Sequence, residues 1–114
     1  MPRPLQSGRR RLKPLDCVLT LVLPQSLEEE VVDDLLRHPE WASGFTITQV
    51  EGKGSGVRLR GASEEVRGRA RRVQLQAVMN AEDARALVAH LRAGLARSQI
   101  AYWIVPMIEF GRFV

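Results

Sequence analysis

The sequence predicts an α+β domain whose strands and helices follow the order β-α-β-β-α-β. Two observations carry this prediction: four segments are apolar or alternating over strand lengths, and two others repeat apolar residues at helical spacing. The longest apolar run, Cys17–Pro24, is far too short to span a bilayer. The 114 residues suffice for one domain, and with Cys17 as the only cysteine no intrachain disulfide is possible.

The first half of the chain predicts a strand followed by a helix. Asp16–Leu23 alternates like a buried strand, and Pro24 ends it. The sequence SLEE then predicts a capping box, in which Ser26 accepts from the Glu29 amide and the Glu29 carboxylate reaches back to Ser26. The helix is expected to end at His38-Pro39, because the residue before a proline avoids helical geometry.

The second half predicts two strands, a helix and a last strand. GFTITQVEG and RVQLQAVM alternate as strands, and Asn80 is the expected N-cap of the second helix. IAYWIVPMIEF is a final strand that Pro106 ends or bends. This is the order of the ferredoxin-like fold, in which right-handed crossovers place both helices on one face of a four-stranded antiparallel sheet.

The other face of such a sheet needs cover. The C-terminal segment carries more large apolar residues than a solvated monomer would expose, which predicts an oligomer formed through this region. These residues are Ile100, Tyr102, Trp103, Ile104, Met107, Ile108 and Phe110.

The positive charge is concentrated outside the predicted elements. Residues 1–15 hold five basic residues and no acid, and Glu51–Arg72 holds seven basic and three acidic residues. We interpret residues 1–15 as a disordered basic tail and residues 16–114 as the folded domain. A nucleic-acid binder would carry its charge on a face of the folded domain, so nucleic acid is the weaker interpretation.

The long connection between the two central strands, Glu51–Arg72, is the most unusual feature. Hairpins normally use two to five residues, and a loop of this length in a compact domain is usually functional or disordered. Its glycines match neither the dinucleotide-binding spacing nor the P-loop spacing, and it leads into a strand rather than a helix. A mobile arm is therefore expected rather than a phosphate-binding loop.

The remaining reactive residues predict neither catalysis nor a metal centre. No Ser, Cys or Lys has a recognisable base beside it, so no catalytic residue is assigned and the protein is expected not to be an enzyme. His38 and His90 lie in or at the ends of separate helices, and no clustered carboxylate or cysteine is evident beside them. No pre-formed metal site is therefore expected within one chain.

Three stretches, ITQVEGKG, RGASEEV and RRVQLQAV, resemble the PII-like signalling superfamily, and the resemblance covers roughly residues 16–113. It implies that residues 51–72 are a T-loop and that the protein is a homotrimer with ligand sites in the clefts between subunits. Leu59 stands in place of the modified tyrosine, Gly56 in place of a ligand-binding glutamine, and the glycine-rich segment after the second helix is missing. EEVRGRARRVQLQ and AYWIVPMIEFGRF are closer to a subgroup associated with heavy-metal efflux transporters of the RND type.

The resemblance implies two groups of site residues and a cytoplasmic location. The effector and anion contacts would come from Gly52, Lys53, Gly54, Arg69, Arg71, Arg72 and Arg112. The partner contacts, to a membrane transporter or a regulatory protein, would come from Arg58, Leu59, Arg60, Glu64 and Glu65. The effector is left open among an adenine nucleotide, bicarbonate and a divalent metal. A CutA-like metal-tolerance protein, a basic-loop nucleic-acid module and a pure interaction protein without ligand remain as alternatives.

Overall fold

The computed structural model describes residues 13–52, 70–96 and 98–114. Residues 1–12, most of the predicted basic tail, and residues 53–69, most of the predicted T-loop, lie outside this range. The contacts expected of Lys53, Gly54 and Arg69, and of the T-loop residues 58–65, therefore stay predictions.

Within the described residues, four strands and two α-helices form a single α+β domain. Every strand pair is antiparallel, and the strand order across the sheet is β2-β3-β1-β4. This confirms the ferredoxin-like prediction. The elements are β1 (Cys17–Pro24), α1 (Glu28–Leu36), β2 (Thr46–Gly52), β3 (Ala70–Met79), α2 (Ala81–Leu95) and β4 (Ala101–Pro106).

The core lies between the helices and one face of β1 and β3. Residues directly opposite each other in an antiparallel pair point to the same side of the sheet, so Leu21 and Leu75, which are register partners, are buried together. Both helices contribute one apolar face. The large side chains of this core include Leu19, Leu21, Leu23, Val31, Leu35, Val73, Leu75, Met79, Leu87 and Leu91.

The opposite face of the sheet, which we call the open face, carries no helix among the described residues. Its central row contains Thr20, with Gln76 as register partner on β3 and Trp103 on β4. Gln76 Nε2 donates to Thr20 Oγ1 at 3.1 Å, and Trp103 keeps 45% of its surface exposed. Val105, the register partner of Val18, is 42% exposed on the same face. The open face is thus a mixed apolar and polar surface.

The two helix starts differ from each other in how they are capped. The predicted capping box is wrong: Gln25–Leu27 forms a 3₁₀ turn, α1 begins at Glu28, and no side chain caps it. The prediction for α2 is confirmed, because the Asn80 side chain accepts from the Glu82 amide at 3.0 Å. Asn80 Nδ2 also donates to the Pro14 carbonyl at 2.9 Å, which ties the segment before β1 to this helix.

The connection from α2 to β4 is short, and among its described residues Gln99 lies in the left-handed region. Gln99 has a φ of 62°, which lets the chain turn back into the edge strand β4. Over residues 13–52, 70–96 and 98–114, neither helix combines the length and the apolar character needed to cross a membrane.

Candidate functional site

The predicted T-loop, residues 51–72, leaves and rejoins the sheet at one end. Gly52, the last residue of β2, is the register partner of Ala70, the first residue of β3. Arg71 lies opposite Glu51, and Arg72 lies opposite both Val50 and Pro24. The base of the predicted T-loop is therefore at the end of the sheet where β1 also ends.

Three of the predicted effector residues meet at this base, but a fourth does not. Gly52, Arg71 and Arg72 lie close together on the paired strands; Arg71 is exposed and Arg72 is only 6% exposed. Arg112 instead lies with its guanidinium 5.4 Å from the centre of the Phe110 ring, beside a cavity that Gln76 also lines. Since Gln76 is about 13 Å further along β3 than Arg72, one chain does not bring Arg112 to the base of the predicted T-loop.

Apolar surface near the C-terminus is extensive, as the sequence predicted. Tyr102, Trp103 and Phe110 are each more than 40% exposed, and Ile108 is fully exposed. In contrast, Ile100 and Ile104 are partly buried against the core. β4 pairs only with β1 in the sheet formed by the described residues, so its outer edge is open to a further chain.

A second group of polar side chains connects α1 and α2, on the face of the sheet that the helices cover. Asp34 lies in the last turn of α1, His38 lies just after that helix, and His90 lies in α2. His90 Nε2 is 3.0 Å and 3.1 Å from the two carboxylate oxygens of Asp34, and His38 Nε2 is 3.8 Å from Asp34 Oδ1. One potential ligand atom from each residue lies within 4.8 Å of the other two. We call these three residues the Asp–His cluster.

The turn after α1 orients His38 in this cluster. The His38 carbonyl accepts from the Trp41 and Ala42 amides at 3.0 and 3.3 Å. The turn stacks the Trp41 indole on the His38 ring, with a centroid distance of 4.7 Å and an interplanar angle of 16°. His90 meets His38 edge to face at 4.6 Å. The indole thus fixes the plane of the His38 imidazole.

A carboxylate holds the other nitrogen of His38. Glu40 Oε2 lies 2.9 Å from His38 Nδ1, which leaves Nε2 directed at Asp34. The hydrogen bond with His38 lowers the pKa of Glu40 from its ordinary value. Glu40 accepts from Nδ1 in the tautomer of His38 that carries its proton on that nitrogen.

The expectation that no carboxylate accompanies the histidines is wrong. Asp34 and His38 are four residues apart, a spacing that could have suggested proximity at a helix end. His90 joins them only because α2 packs beside α1, and no local pattern in the sequence signals that contact.

The single cysteine belongs neither to the base of the predicted T-loop nor to the Asp–His cluster. Cys17 is 1% exposed in β1, and burial raises the pKa of its thiol. A buried thiol of this kind is unreactive and serves as a small core residue.

We compared the sequence and the structure with those of known proteins. No curated protein gives a significant match to the sequence. The structure is similar to the crystal structure of a DUF3240 family protein from Shewanella baltica OS155, with a TM-score of 0.70 and 20% identity over 90% of this chain and 100% of that one.

Two further solved structures belong to PII-like proteins. CPII from Thiomonas intermedia K12, a nitrogen regulatory PII-like protein bound to ADP, AMP and bicarbonate, gives a TM-score of 0.63 at 20% identity, covering 87% of this chain and 96% of that one. A protein from Thermus thermophilus described as a PII-like signalling protein gives 0.58 at 19% identity, covering 81% and 85%. The PII-like fold expected from the sequence is thereby confirmed.

The sequence also matches one protein family over most of its length. The family described as "Protein of unknown function (DUF3240)" matches residues 15–114, which include both helices and the four strands of the described sheet, together with the segment between β2 and β3. The chain therefore belongs to the DUF3240 family.

Proposed function

We propose that the protein is a non-catalytic PII-like regulator of the cytoplasm that binds a small effector at the base of its T-loop. The observation that carries this proposal is the junction at Gly52 and Ala70, where paired strand ends lead into the long connection rich in arginine. The similarity of the fold to PII-like proteins supports it, since one of them is described as bound to ADP, AMP and bicarbonate.

The effector in this proposal is an anion. Arg71 and Arg72 lie at the T-loop base, and an arginine guanidinium pairs well with phosphate or carboxylate oxygens. Gly52, Lys53 and Gly54 would supply the hinge and backbone contacts, and Arg69 a further charge. An adenine nucleotide or bicarbonate fits this chemistry better than a cation does.

The functional unit in this proposal is a homotrimer formed through the open face and the edge of β4. The exposed side chains of Trp103, Val105 and Phe110 support it, because a patch of this kind normally marks an interface. Arg112 lies at the far end of its own chain from the T-loop base, so it would reach an effector only from a neighbouring subunit.

The output of the regulator would be the position of the T-loop. Effector binding would order or release residues 51–72, whose Arg58, Leu59, Arg60, Glu64 and Glu65 would then contact a partner. The partner would be a membrane transporter, such as a heavy-metal efflux system, or a regulatory protein. The long basic connection at the end of the sheet supports this role.

Calorimetry with ADP, AMP, ATP and bicarbonate tests the effector part. We expect one ligand per subunit, and a Kd weakened about tenfold by Arg71→Gln through loss of one charge-assisted hydrogen bond. Arg85→Gln, which removes an exposed charge on α2, is the matched control and should leave the Kd unchanged. Absence of binding by all four compounds would reject effector sensing and favour a pure interaction protein.

A further inference from the structure

We propose that the Asp–His cluster is a binding site for a divalent transition-metal ion, with Asp34, His38 and His90 as its protein ligands. This site goes beyond the proposed effector function and uses none of its residues. The chain contains only two histidines, and the fold brings both of them to the same carboxylate.

The donor atoms suit a metal of intermediate softness. Two imidazole nitrogens and one carboxylate oxygen are ligands that zinc and its neighbours bind well, whereas magnesium and calcium prefer oxygen donors alone. Three protein ligands also leave at least one coordination position for water or another ligand. The site is therefore of the open kind rather than a closed structural zinc site.

The distances are close to those a bound ion requires. Ligand atoms about 2.0–2.1 Å from a tetrahedral ion lie about 3.3 Å from one another. His90 Nε2 and Asp34 Oδ1 are 3.0 Å apart, and His38 Nε2 and Asp34 Oδ1 are 3.8 Å apart. Shifts of a few tenths of an ångström would bring these two pairs to that spacing. The two imidazole nitrogens lie within 4.8 Å of each other, so an ion would have to draw the rings together by up to about 1.5 Å through side-chain rotation.

The surroundings of His38 are those of a metal ligand with an outer carboxylate. Glu40 accepts from Nδ1 at 2.9 Å when that nitrogen carries the proton, so Nε2 is left with its lone pair toward Asp34. Metal-bound histidines commonly donate their second ring nitrogen to a carboxylate in this way. Stacking on Trp41 removes the remaining freedom of the ring.

Solvent reaches all three side chains, so an ion has a path to the site. The exposed fractions of the Asp34, His38 and His90 side chains are 19%, 26% and 38%. The competing explanation is a hydrogen-bonded link between α1 and α2 that binds no ion. Both explanations account for the contacts in the metal-free protein, and they differ in what happens when an ion is added.

The cluster is separate from the T-loop base. His38 follows α1 and precedes β2, so it lies toward the end of the sheet where β2 begins, whereas the T-loop starts where β2 ends. Variants can therefore test the metal site and the effector site independently.

Calorimetric titration of the full-length protein with Zn²⁺ is the primary test. We expect one ion per chain with a Kd of about 1 µM or tighter. Zinc binding should weaken by about tenfold to 100-fold in each of three ligand variants: Asp34→Asn, His38→Gln and His90→Gln. Glu40→Gln should weaken it by about tenfold, because carboxylates that hydrogen-bond to a metal ligand contribute to affinity on that scale. Asp33→Asn makes the same charge change on the exposed side of α1 and should have no effect.

Proton NMR of the wild-type protein gives a second measurement that needs no variant. Its two histidine ring spin systems should both shift and saturate at one equivalent of Zn²⁺. The metal site is refuted if neither histidine responds, or if zinc binding survives loss of both. Arg71→Gln should bind zinc normally, so failure of the effector proposal leaves this result unaffected.

Discussion

Replacing Trp103 by glutamate tests whether the open face is an interface between subunits. Trp103 is 45% exposed in the isolated chain. A tryptophan side chain has about 250 Å² to bury, so about 110 Å² would be covered on association, worth about 3 kcal/mol per chain at 25 cal/mol per Å². Val105, 42% exposed on the same face, adds about 1.5 kcal/mol by the same reasoning.

The substitution should dissociate the oligomer. It removes the larger of these two contributions and places a carboxylate where burial without a partner costs further free energy. Light scattering after size exclusion should give about three times 12.8 kDa for the wild type and 12.8 kDa for Trp103→Glu. The matched control is Leu36→Glu, because Leu36 is 64% exposed but lies at the end of α1, away from the open face.

Two results would refute this reasoning. A monomeric wild type at concentrations of about 100 µM would mean that the exposed apolar residues do not drive self-association. A Trp103→Glu variant that keeps the wild-type mass would place the interface elsewhere, for instance along the edge of β4 alone.

Three further predictions concern the fold and the turn after α1. Leu87→Ala should lower the free energy of unfolding by about 2–5 kcal/mol, since Leu87 is completely buried; denaturant titration measures this, and a loss below about 1 kcal/mol would contradict the packing. Asn80→Ala should cost about 1 kcal/mol or more by the same assay, and Asn80→Ser less, because serine can still accept from the Glu82 amide although it loses the bond to the Pro14 carbonyl. In metal-free protein, NMR titration should show the pKa of Glu40 lowered from its ordinary value, and His38→Ala should raise it towards that value. Because the carboxyl pKa is lowered in the folded state, the stabilisation is fully present above the unfolded pKa and is lost as the pH falls through the folded pKa. An unchanged Glu40 titration in His38→Ala would show that His38 is not its partner.

Local patterns in the sequence were enough to predict the elements and their order. Alternation in β1 and β3 and the helical spacing in α2 each reflect a face packed against the same core. Asn80 was predictable as a cap because the capping bond is made to a residue two positions later. These signals lie within a few residues of one another, and the PII-like resemblance added the interpretation of the long connection between β2 and β3 as a T-loop.

Other features depend on contacts that no local pattern records. The predicted cap at Ser26 is wrong because the chain leaves β1 through a 3₁₀ turn, which places Ser26 before the helix instead of at its start. The Asp–His cluster depends on how α1 packs beside α2, which sets the distance from Asp34 to His90. The position of Arg112 likewise follows from the path of the chain after β4.

The position of β1 in the sheet has a consequence for folding during synthesis. β1 leaves the ribosome before the other strands of this sheet, yet it pairs with β3 on one side and with β4 on the other, so that Cys17 lies opposite both Met79 and Pro106. The four-stranded sheet cannot be completed until β4 has emerged from the ribosome. Such long-range pairing makes folding slow, and the apolar residues of β1 stay accessible to chaperones while the rest of the domain is being translated.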